Sequence, residues 1–411
     1  MLEKKILAAA YAPSHAIGGL LLRGLGDVGV SGRGLNKTAV KIGSEMVAER
    51  DARNAAYFDE PLPRQHTLPK TPISLACVSL DGGRMQTRVE GGGLGVHDPH
   101  WRETKNGLFS RMQSQSFSSD PHPDLPACFA SREQMKTLLS SVILENTALE
   151  KAGLEQADDS CEQDAGQRIT SETFLPTETP TARSKWQPHS LFRTCLSSLA
   201  NSDAFGRQME VEADARGFYH AAKKAFVSDG LPYNWTIHKR HFSDFTAILD
   251  FVHVIEHLHE AARCLHADVD CRWDEHLGWA RACWSGQVQQ VIAEMKEHQI
   301  CLGLPPKDCE PTDARKVLAD AIGYFTNNAS RMNYPQYRRD GLPTTSALME
   351  SLVKEINHRV KGTEKFWDDG ASGEAILQIR AAALGDDSRL TTYLQNRPGH
   401  PFHPNATAIA A

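Results

Sequence analysis

The fold is indicated first by the run Ile73-Ser-Leu-Ala-Cys-Val-Ser-Leu80, which passes directly into Asp81-Gly-Gly83. An apolar run of this length that stops at an Asp-Gly turn signal predicts a β-strand. The alternating residues Met85–Val89 predict its partner in a hairpin. A second strand is predicted at Ala225-Phe-Val-Ser-Asp229, because this run is also apolar and is followed by glycine. Asp81 and Asp229 therefore each end a predicted strand.

The composition is that of an ordinary folded protein. Its 411 residues suggest two or three domains, and 40% hydrophobic with 23% charged residues exclude a wholly disordered or fibrous chain. A membrane-spanning run of about 18 apolar residues is not found. Met1–Ala12 is rejected as a signal peptide because Glu3 interrupts its basic region. The net charge of −6 means that any DNA contact must come from local basic patches.

The nine cysteines are scattered and contain no Cys-x-x-Cys pair. Cys264, His266 and Cys271 form the only tight cluster, and they lack the spacing of a zinc knuckle. Buried or idle thiols in a reducing cytoplasm are the preferred interpretation.

Pattern and composition divide the chain into seven segments. These are 1–65, helical and helix-turn-helix-like; 66–110, the first part of an α/β core; 111–188, a polar and partly disordered insertion; 189–255, the second part of the core; 256–335, an all-helical insertion; 336–395, the C-terminal helical part of the core; and 396–411, a tail. Within the polar insertion we predict a helix around Met135–Leu154 and no structure at Gln156–Thr181.

The N-terminal segment has two helical patterns around a glycine-containing turn. Ala16–Leu25 is apolar, and Leu35–Arg50 is amphipathic, with Arg50 away from its apolar face. This suits a helix-turn-helix that sets one helix in the major groove of DNA. A plain helical hairpin or a dimerisation element explains the pattern equally well.

Helical periodicity continues through most of the second half of the chain. It predicts helices at Met209–Lys224, from His253 to His266 after a third strand at Ala247–Val252, throughout Trp273–Asn328, at Ser346–Val360 and at Ala375–Leu384.

Three acids stand out by position: Asp81, Asp229, and Glu350 in a predicted helix. Strand-end aspartates joined by a glutamate on a helix are what a two-metal phosphoryl-transfer site requires, with the metals about 3.5–4 Å apart. Taken singly, each acid is better explained as a turn residue or a solvated helix residue.

Longer motifs resemble transposases of bacterial insertion sequences, in the DDE group with an RNase H-like core related to the Mutator type. They are Val78–Gln86, Trp101–Glu103 with Lys105, Ser228–Trp235, Leu249–His253, Asn327–Ser346, Met349–Ser351 and Arg359–Trp367. The likeness covers residues 73–110 and 190–398. One departure is Ala347, which follows Ser346 where many relatives have glycine.

The resemblance implies an α/β fold with an RNase H-like mixed-sheet core that is interrupted by an all-α insertion. It implies that Asp81, Asp229 and Glu350 bind two Mg²⁺ ions, for which Mn²⁺ substitutes, with Asp250 and His253 supporting the site; a core role for His253 stays open. Activated water would cleave the element end, and the freed 3′-hydroxyl would attack target DNA. The implied partners are double-stranded DNA and further copies of the chain, without a membrane, in the nucleoid-associated cytoplasm.

Basic and aromatic residues near these motifs are candidate DNA contacts. The basic ones are Arg84, Arg102, Lys105, Arg331, Arg338, Arg339, Lys354, His358, Arg359, Lys361 and Lys365. Trp279 and Trp284 are candidates for stacking on an extruded base, with packing in a helical core as the alternative. Two other functions remain open: an inactive transposase-derived repressor, and a metal-dependent nuclease that only hydrolyses DNA.

Overall fold

The computed structural model describes residues 1–88, 100–135, 186–362, 365–367 and 370–397. Nearly all of the helix predicted at Met135–Leu154, the whole unstructured segment predicted at Gln156–Thr181, and most of the tail lie outside the described residues.

A six-stranded mixed sheet forms the centre of the described structure. Its strands are β1 (Leu75–Thr87), β2 (Trp101–Gln113), β3 (His189–Ser198), β4 (Lys223–Ser228), β5 (Thr246–Leu249) and β6 (Phe366–Trp367). The order is β3-β2-β1-β4-β5, and β6 pairs with the far end of β1. The strand β2 is antiparallel to both β1 and β3, whereas β4, β5 and β6 run parallel to β1. The prediction of a mixed α/β fold is confirmed.

Helices precede, cover and follow this sheet. They are α1 (Leu2–Tyr11), α2 (His15–Gly26), α3 (Gly32–Asp59), α4 (Ala127–Ala130), α5 (Ser202–Ala215), α6 (Pro232–His241), α7 (Phe251–Leu265), α8 (Val269–Trp284), α9 (Val288–Leu302), α10 (Ala314–Asn328), α11 (Tyr334–Asp340), α12 (Ala347–Val360), α13 (Ala371–Leu384) and α14 (Arg389–Asn396). Short 3₁₀ turns occupy Phe218–His220 and Ala329–Arg331.

The strand β1 is buried on both faces because its side chains alternate between two hydrophobic clusters. Leu75 and Cys77 contact the cluster that includes the helices α7 to α10. Ala76 and Val78 belong to the cluster on the other face, beneath α5 and α6. A nearly continuous apolar run is what a central strand of this kind requires, which explains the Ile73–Leu80 pattern.

Several predicted boundaries are wrong. Met85–Thr87 continue β1 and do not form its hairpin partner, which is β2, because the chain pairs back only after residue 100. Asp81 therefore lies inside β1; it marks only the end of the part that pairs with β4. The helix predicted at Met209–Lys224 is instead α5, which ends at Ala215 before a left-handed Gly217 and a 3₁₀ turn. The sheet also extends past residue 110 into the predicted insertion.

The N-terminal helices share a hydrophobic core with the C-terminal helices α13 and α14. Leu35, Ile42 and Met46 of α3 are buried in this core, as their spacing predicts. Arg50 is also buried, contrary to expectation, because its guanidinium bonds Glu374 at 2.6 Å and Gln378 at 3.3 Å. The segment is thus joined to the end of the chain through its apolar face.

The closest approach between α3 and α13 is made possible by Gly43. A Cβ atom at this position would lie 2.3 Å from the carbonyl oxygen of Ala375. We expect Gly43→Ala to reduce the free energy of unfolding by about 1–3 kcal/mol, because the two backbones must separate. Urea unfolding measures this change. The control is Gly24→Ala in α2, where nothing lies within 4 Å of the added methyl group, and where alanine is expected to be neutral or stabilising.

Within the described residues, none of the helices is both long enough and apolar enough to cross a membrane. The cysteines of that part of the chain are free thiols, and Cys77, Cys195 and Cys283 are buried.

Candidate active site

Three aspartates form a row where neighbouring parallel strands stop pairing. Asp81, Asp229 and Asp250 each follow a residue that pairs in register with its counterpart on the next strand, across β1, β4 and β5. The row is continuous, since the amide of Asp250 donates to the carbonyl of Ser228 at 2.9 Å. Adjacent strands lie about 4.7–4.9 Å apart, so the three backbones bring carboxylates remote in sequence to one edge.

Asp229 is held by the turn that follows β4. Its Oδ1 accepts hydrogen bonds from Asn234 Nδ2 at 2.7 Å and from the amide of Leu231 at 3.0 Å. Its carbonyl accepts the hydroxyl of Tyr324 at 2.8 Å. Gly230 has a φ of +99°, and a Cβ there would lie 2.7 Å from the ring of Tyr324. The left-handed backbone and the tyrosine together fix the direction in which the chain leaves the strand.

Asp250 joins the sheet to the helix that carries Glu350. Its buried carboxylate accepts the amide of Val252 at 3.0 Å and also the hydroxyl of Ser346. The amide of Phe251 donates to the carbonyl of Thr344 at 3.0 Å. Because Ser346 precedes α12 directly, these bonds fix the start of that helix beside Asp250.

The helix α12 then packs against β1, on the face of the strand that carries Asp81 and Gly83. Asn357 Oδ1 lies 3.1 Å from the position of a Cβ on Gly83. Glu350 is seven residues earlier on the same helical face, about 10 Å back along the axis. Asp81 is two residues before Gly83, about 7 Å back along the strand. Glu350 is almost fully buried and lies 3.9 Å from Lys354 Nζ.

His253 lies beside the aspartate row, with its Nε2 3.9 Å from Asp250 and its Nδ1 3.3 Å from Glu256. Burial lowers its pKa, but Glu256, Asp250, Asp229 and Asp81 outweigh burial and hold the pKa well above its usual value. An imidazolium at this position partly offsets the negative charge of the row.

His257, one turn further along α7, has the opposite behaviour. Burial lowers its pKa to about 4 despite Glu256, and its ring contacts Tyr324 with centroids 3.7 Å apart. It is therefore a neutral packing residue.

The donor types fit a hard divalent cation, which prefers carboxylate oxygens. In the described ranges, however, no group of three or more His, Cys, Asp or Glu side chains is arranged to hold a metal ion. Hydrogen bonds such as that from Asn234 to Asp229 occupy ligand oxygens instead. Asp81, Asp229 and Glu350 are therefore not gathered into a metal site among the residues that the structure describes.

The basic residues proposed from sequence fall into two groups. Accessible or half-buried ones are Arg84, Arg102, Arg331, Arg339, Lys354, His358, Lys361 and Lys365. Arg338, Arg359 and Lys105 are buried. Arg338 bonds Asp120, Arg359 donates to the carbonyl of Ala9, and Lys105 bonds Glu103. These three cations make internal contacts in the described structure, and a contact of theirs with DNA stays a prediction.

Trp279 and Trp284 lie in the hydrophobic core of the helical region. Trp279 Nε1 donates to Glu294 at 2.9 Å, and Trp284 Nε1 donates to the carbonyl of His122 at 3.1 Å. Their prediction as base-stacking residues is wrong in this conformation, and core packing, the alternative given above, describes them.

Sequence reasoning missed the residues that hold the site. Asn234 and Ser346 both lie inside the motifs quoted above. Asn234 is five residues after Asp229, in the first turn of α6. Tyr324 carries no such signal, because its hydroxyl reaches Asp229 only through the packing of α10 on α7.

Comparison with protein-family models gives no match for this chain, and comparison with curated protein sequences finds no similar one. Its own geometry defines a mixed α/β protein that has a row of aspartates beside a buried helical glutamate.

Proposed function

We propose that the protein is a DNA transposase of the DDE type, with an RNase H-like core. The observation that carries the proposal is the register of Asp81, Asp229 and Asp250, together with the attachment of the Glu350 helix to Asp250. Acids remote in sequence meet at one edge, as polynucleotidyl transfer requires.

The strand order supports the RNase H-like part of the proposal. A mixed sheet ordered β3-β2-β1-β4-β5, with β2 antiparallel to β1 and with β4 and β5 parallel to it, is the arrangement expected of such a core. The helices α8 to α10 between β5 and α12 correspond to the all-α insertion.

Asp81, Asp229 and Glu350 would hold Mg²⁺, with Mn²⁺ as a substitute. When bound, the ions would activate the attacking hydroxyl and stabilise the leaving oxygen. Asp250 is a positioning residue in this scheme, since it is fully buried and fixes α12 through Ser346. Asn234 orients the Asp229 carboxylate.

The DNA would approach along the surface near the accessible cations. Lys354, one turn after Glu350, and His358, one turn further, lie on the same side of α12, but only His358 is exposed, because Lys354 Nζ is buried. Backbone phosphates are the groups that such side chains contact without reading sequence. A closed assembly of two or more copies would bring the element ends together in the nucleoid.

The test uses full-length protein and a plasmid that carries its coding sequence with the native flanking DNA, plus a second plasmid as target. With Mg²⁺ or Mn²⁺ we expect cleavage at both flanks and joined products that carry a short target duplication. With EDTA we expect binding without cleavage. Sequencing of the junctions and gel analysis measure both.

Two outcomes contradict the proposal in different ways. Metal-dependent cleavage without joined products would identify a nuclease. Binding to the flanks with neither cleavage nor joining, in either metal, would identify a repressor derived from a transposase.

A further inference from the structure

A cavity of about 200 Å³ lies between the N-terminal helices and the end of the sheet, away from the aspartate row. It is formed where five parts of the chain meet: the turn between α1 and α2, the second turn of α3, the end of α12, β6 and the start of α13. The polar and aromatic residues that matter here are Ser14, His15, Asn36, Arg359, Lys365 and Trp367. Among the residues that the structure describes, no carboxylate lines it.

Arg359 is the central cation of this cavity and is only 2% exposed. Its Nε donates to the carbonyl of Ala9 at 2.8 Å, and its Nη2 contacts Nε2 of His15 at 2.9 Å. Within the described part of the chain, Nη1 donates to nothing and no acid pairs with the guanidinium. A buried guanidinium that pairs with none of the described carboxylates is a group that an anion would stabilise.

The protonation of His15 follows from this contact. Arginine only donates, so Nε2 of His15 must accept and its hydrogen must be on Nδ1. Burial, and then Arg359, lower the pKa of His15 to about 4, which agrees with a neutral ring. The neutral imidazole therefore adds a donor to the cavity without adding charge.

Neighbouring positive charges lower one another's pKa values in this cavity. Burial, and then Arg380, lower the pKa of Arg359 to about 10. Burial, and then Arg359, also lower the pKa of Lys365. Lys365 Nζ donates to the carbonyl of His358 at 3.1 Å, which leaves further ammonium hydrogens for another acceptor.

We propose that this cavity binds a phosphate group. Arg359 and Lys365 would supply its charge-assisted hydrogen bonds, and Asn36 and His15 would supply neutral donors. The ring of Trp367, 5.2 Å from the Arg359 guanidinium, forms the apolar wall. The volume suits one phosphate with a small organic group, so the source is either a free phosphate compound or a backbone phosphate of DNA. The site is independent of the carboxylate chemistry proposed above.

The test is a calorimetric titration of the full-length protein, in EDTA, with inorganic phosphate, with thymidine 5′-monophosphate and with a 20-base-pair duplex. We expect saturable binding that Lys365→Gln weakens about 10-fold, as for one lost charged hydrogen bond. Asn36→Asp, which adds a carboxylate of nearly unchanged shape, is expected to abolish binding. It should also raise the unfolding midpoint of the unliganded protein, because the added charge neutralises the cavity. Gln289→Glu, which adds a carboxylate at an exposed position of α9, is the matched control.

The three ligands distinguish the source. Loss of phosphate and nucleotide binding in Asn36→Asp, with duplex binding unchanged, indicates a free phosphate compound. A parallel loss of duplex binding indicates a backbone phosphate. The proposal is overturned if the wild-type titrations with all three ligands are flat, or if Asn36→Asp binds as well as the wild type. Because EDTA is present, failure here does not bear on cleavage, and failed cleavage does not bear on this site.

Discussion

Asp81→Asn, Asp229→Asn and Glu350→Gln are each expected to reduce metal-dependent DNA cleavage and joining by about 10³-fold or more. Each replaces a charged ligand oxygen by a neutral amide, and the lost charge stabilisation is several kcal/mol at about 1.4 kcal/mol per tenfold in rate. Initial rates of plasmid nicking, measured in Mg²⁺ and in Mn²⁺, give the comparison.

These variants should remain folded and should keep DNA binding. Asp81 and Asp229 are only half-buried, and the amide side chains keep the size of the originals. Circular dichroism and a duplex-binding titration in EDTA check both points. Mg²⁺ should raise the unfolding midpoint of the wild type but not that of the three variants, since only a bound ligand stabilises by mass action.

The matched control for charge is Asp308→Asn, which removes an exposed carboxylate from the loop before α10. It should cleave DNA at the wild-type rate. Wild-type cleavage by Asp81→Asn would exclude the proposed triad, whatever its other properties.

Glu212→Gln is expected to destabilise the protein by about 1–3 kcal/mol, because it removes a buried carboxylate that bonds three arginines, of which only Arg216 and Arg389 keep Asp387 as a partner. Glu212 is 1% exposed and bonds Arg216 at 2.5 Å and Arg53 at 2.9 Å, with Arg389 at 3.8 Å. Burial alone would raise its pKa, but Arg389, Arg216 and Arg53 lower it to about 2. Urea unfolding at pH 7 measures the loss.

The pH dependence of this effect has a definite sign. Since the folded-state pKa of Glu212 is depressed to about 2, its contribution is fully present above the usual pKa and is lost as the pH falls towards 2. The difference in stability between wild type and Glu212→Gln should therefore shrink in acid. An equal difference at pH 7 and pH 2.5 would contradict this role.

The control for this pair of predictions is Asp203→Asn, which removes an exposed partner of Arg240. Its cost should be no more than about 1 kcal/mol, as for other exposed ion pairs. A similar cost for Glu212→Gln would mean that α3, α5 and α14 are not joined through this carboxylate.

The local sequence pattern was sufficient to predict a helix or strand where that element buries a regular face in the core. Six elements lie close to the positions predicted for them: the strands β4 and β5 and the helices α7, α8, α12 and α13. Apolar runs and helical spacing report directly which residues face a core. The pattern failed for β2, whose mixture of Arg, Glu, Lys and Asn hides a central strand.

The local sequence pattern did not predict which acceptors the buried arginines bond. The sequence around Arg50, Arg338 and Arg359 predicts exposed cations. In the structure each is buried and donates a hydrogen bond to an acceptor that is distant in the sequence. Whether a cationic side chain is buried depends on whether an acceptor from a distant part of the chain lies within hydrogen-bond reach. A single sequence does not show which distant residues are close in space.

The amino-acid sequence by itself determined the α/β class, the apolar part of β1 before Asp81, the strand β4 before Asp229, and the strand β5. Only the tertiary structure decided that Asp250 belongs to the same row, that Ser346 connects it to the Glu350 helix, and that Arg359 lines a cavity. The reason is that periodicity is a property of neighbouring residues. Strand register and helix docking depend on the packing of segments that are distant in the sequence, such as Asp250 and Ser346 or Ala9 and Arg359.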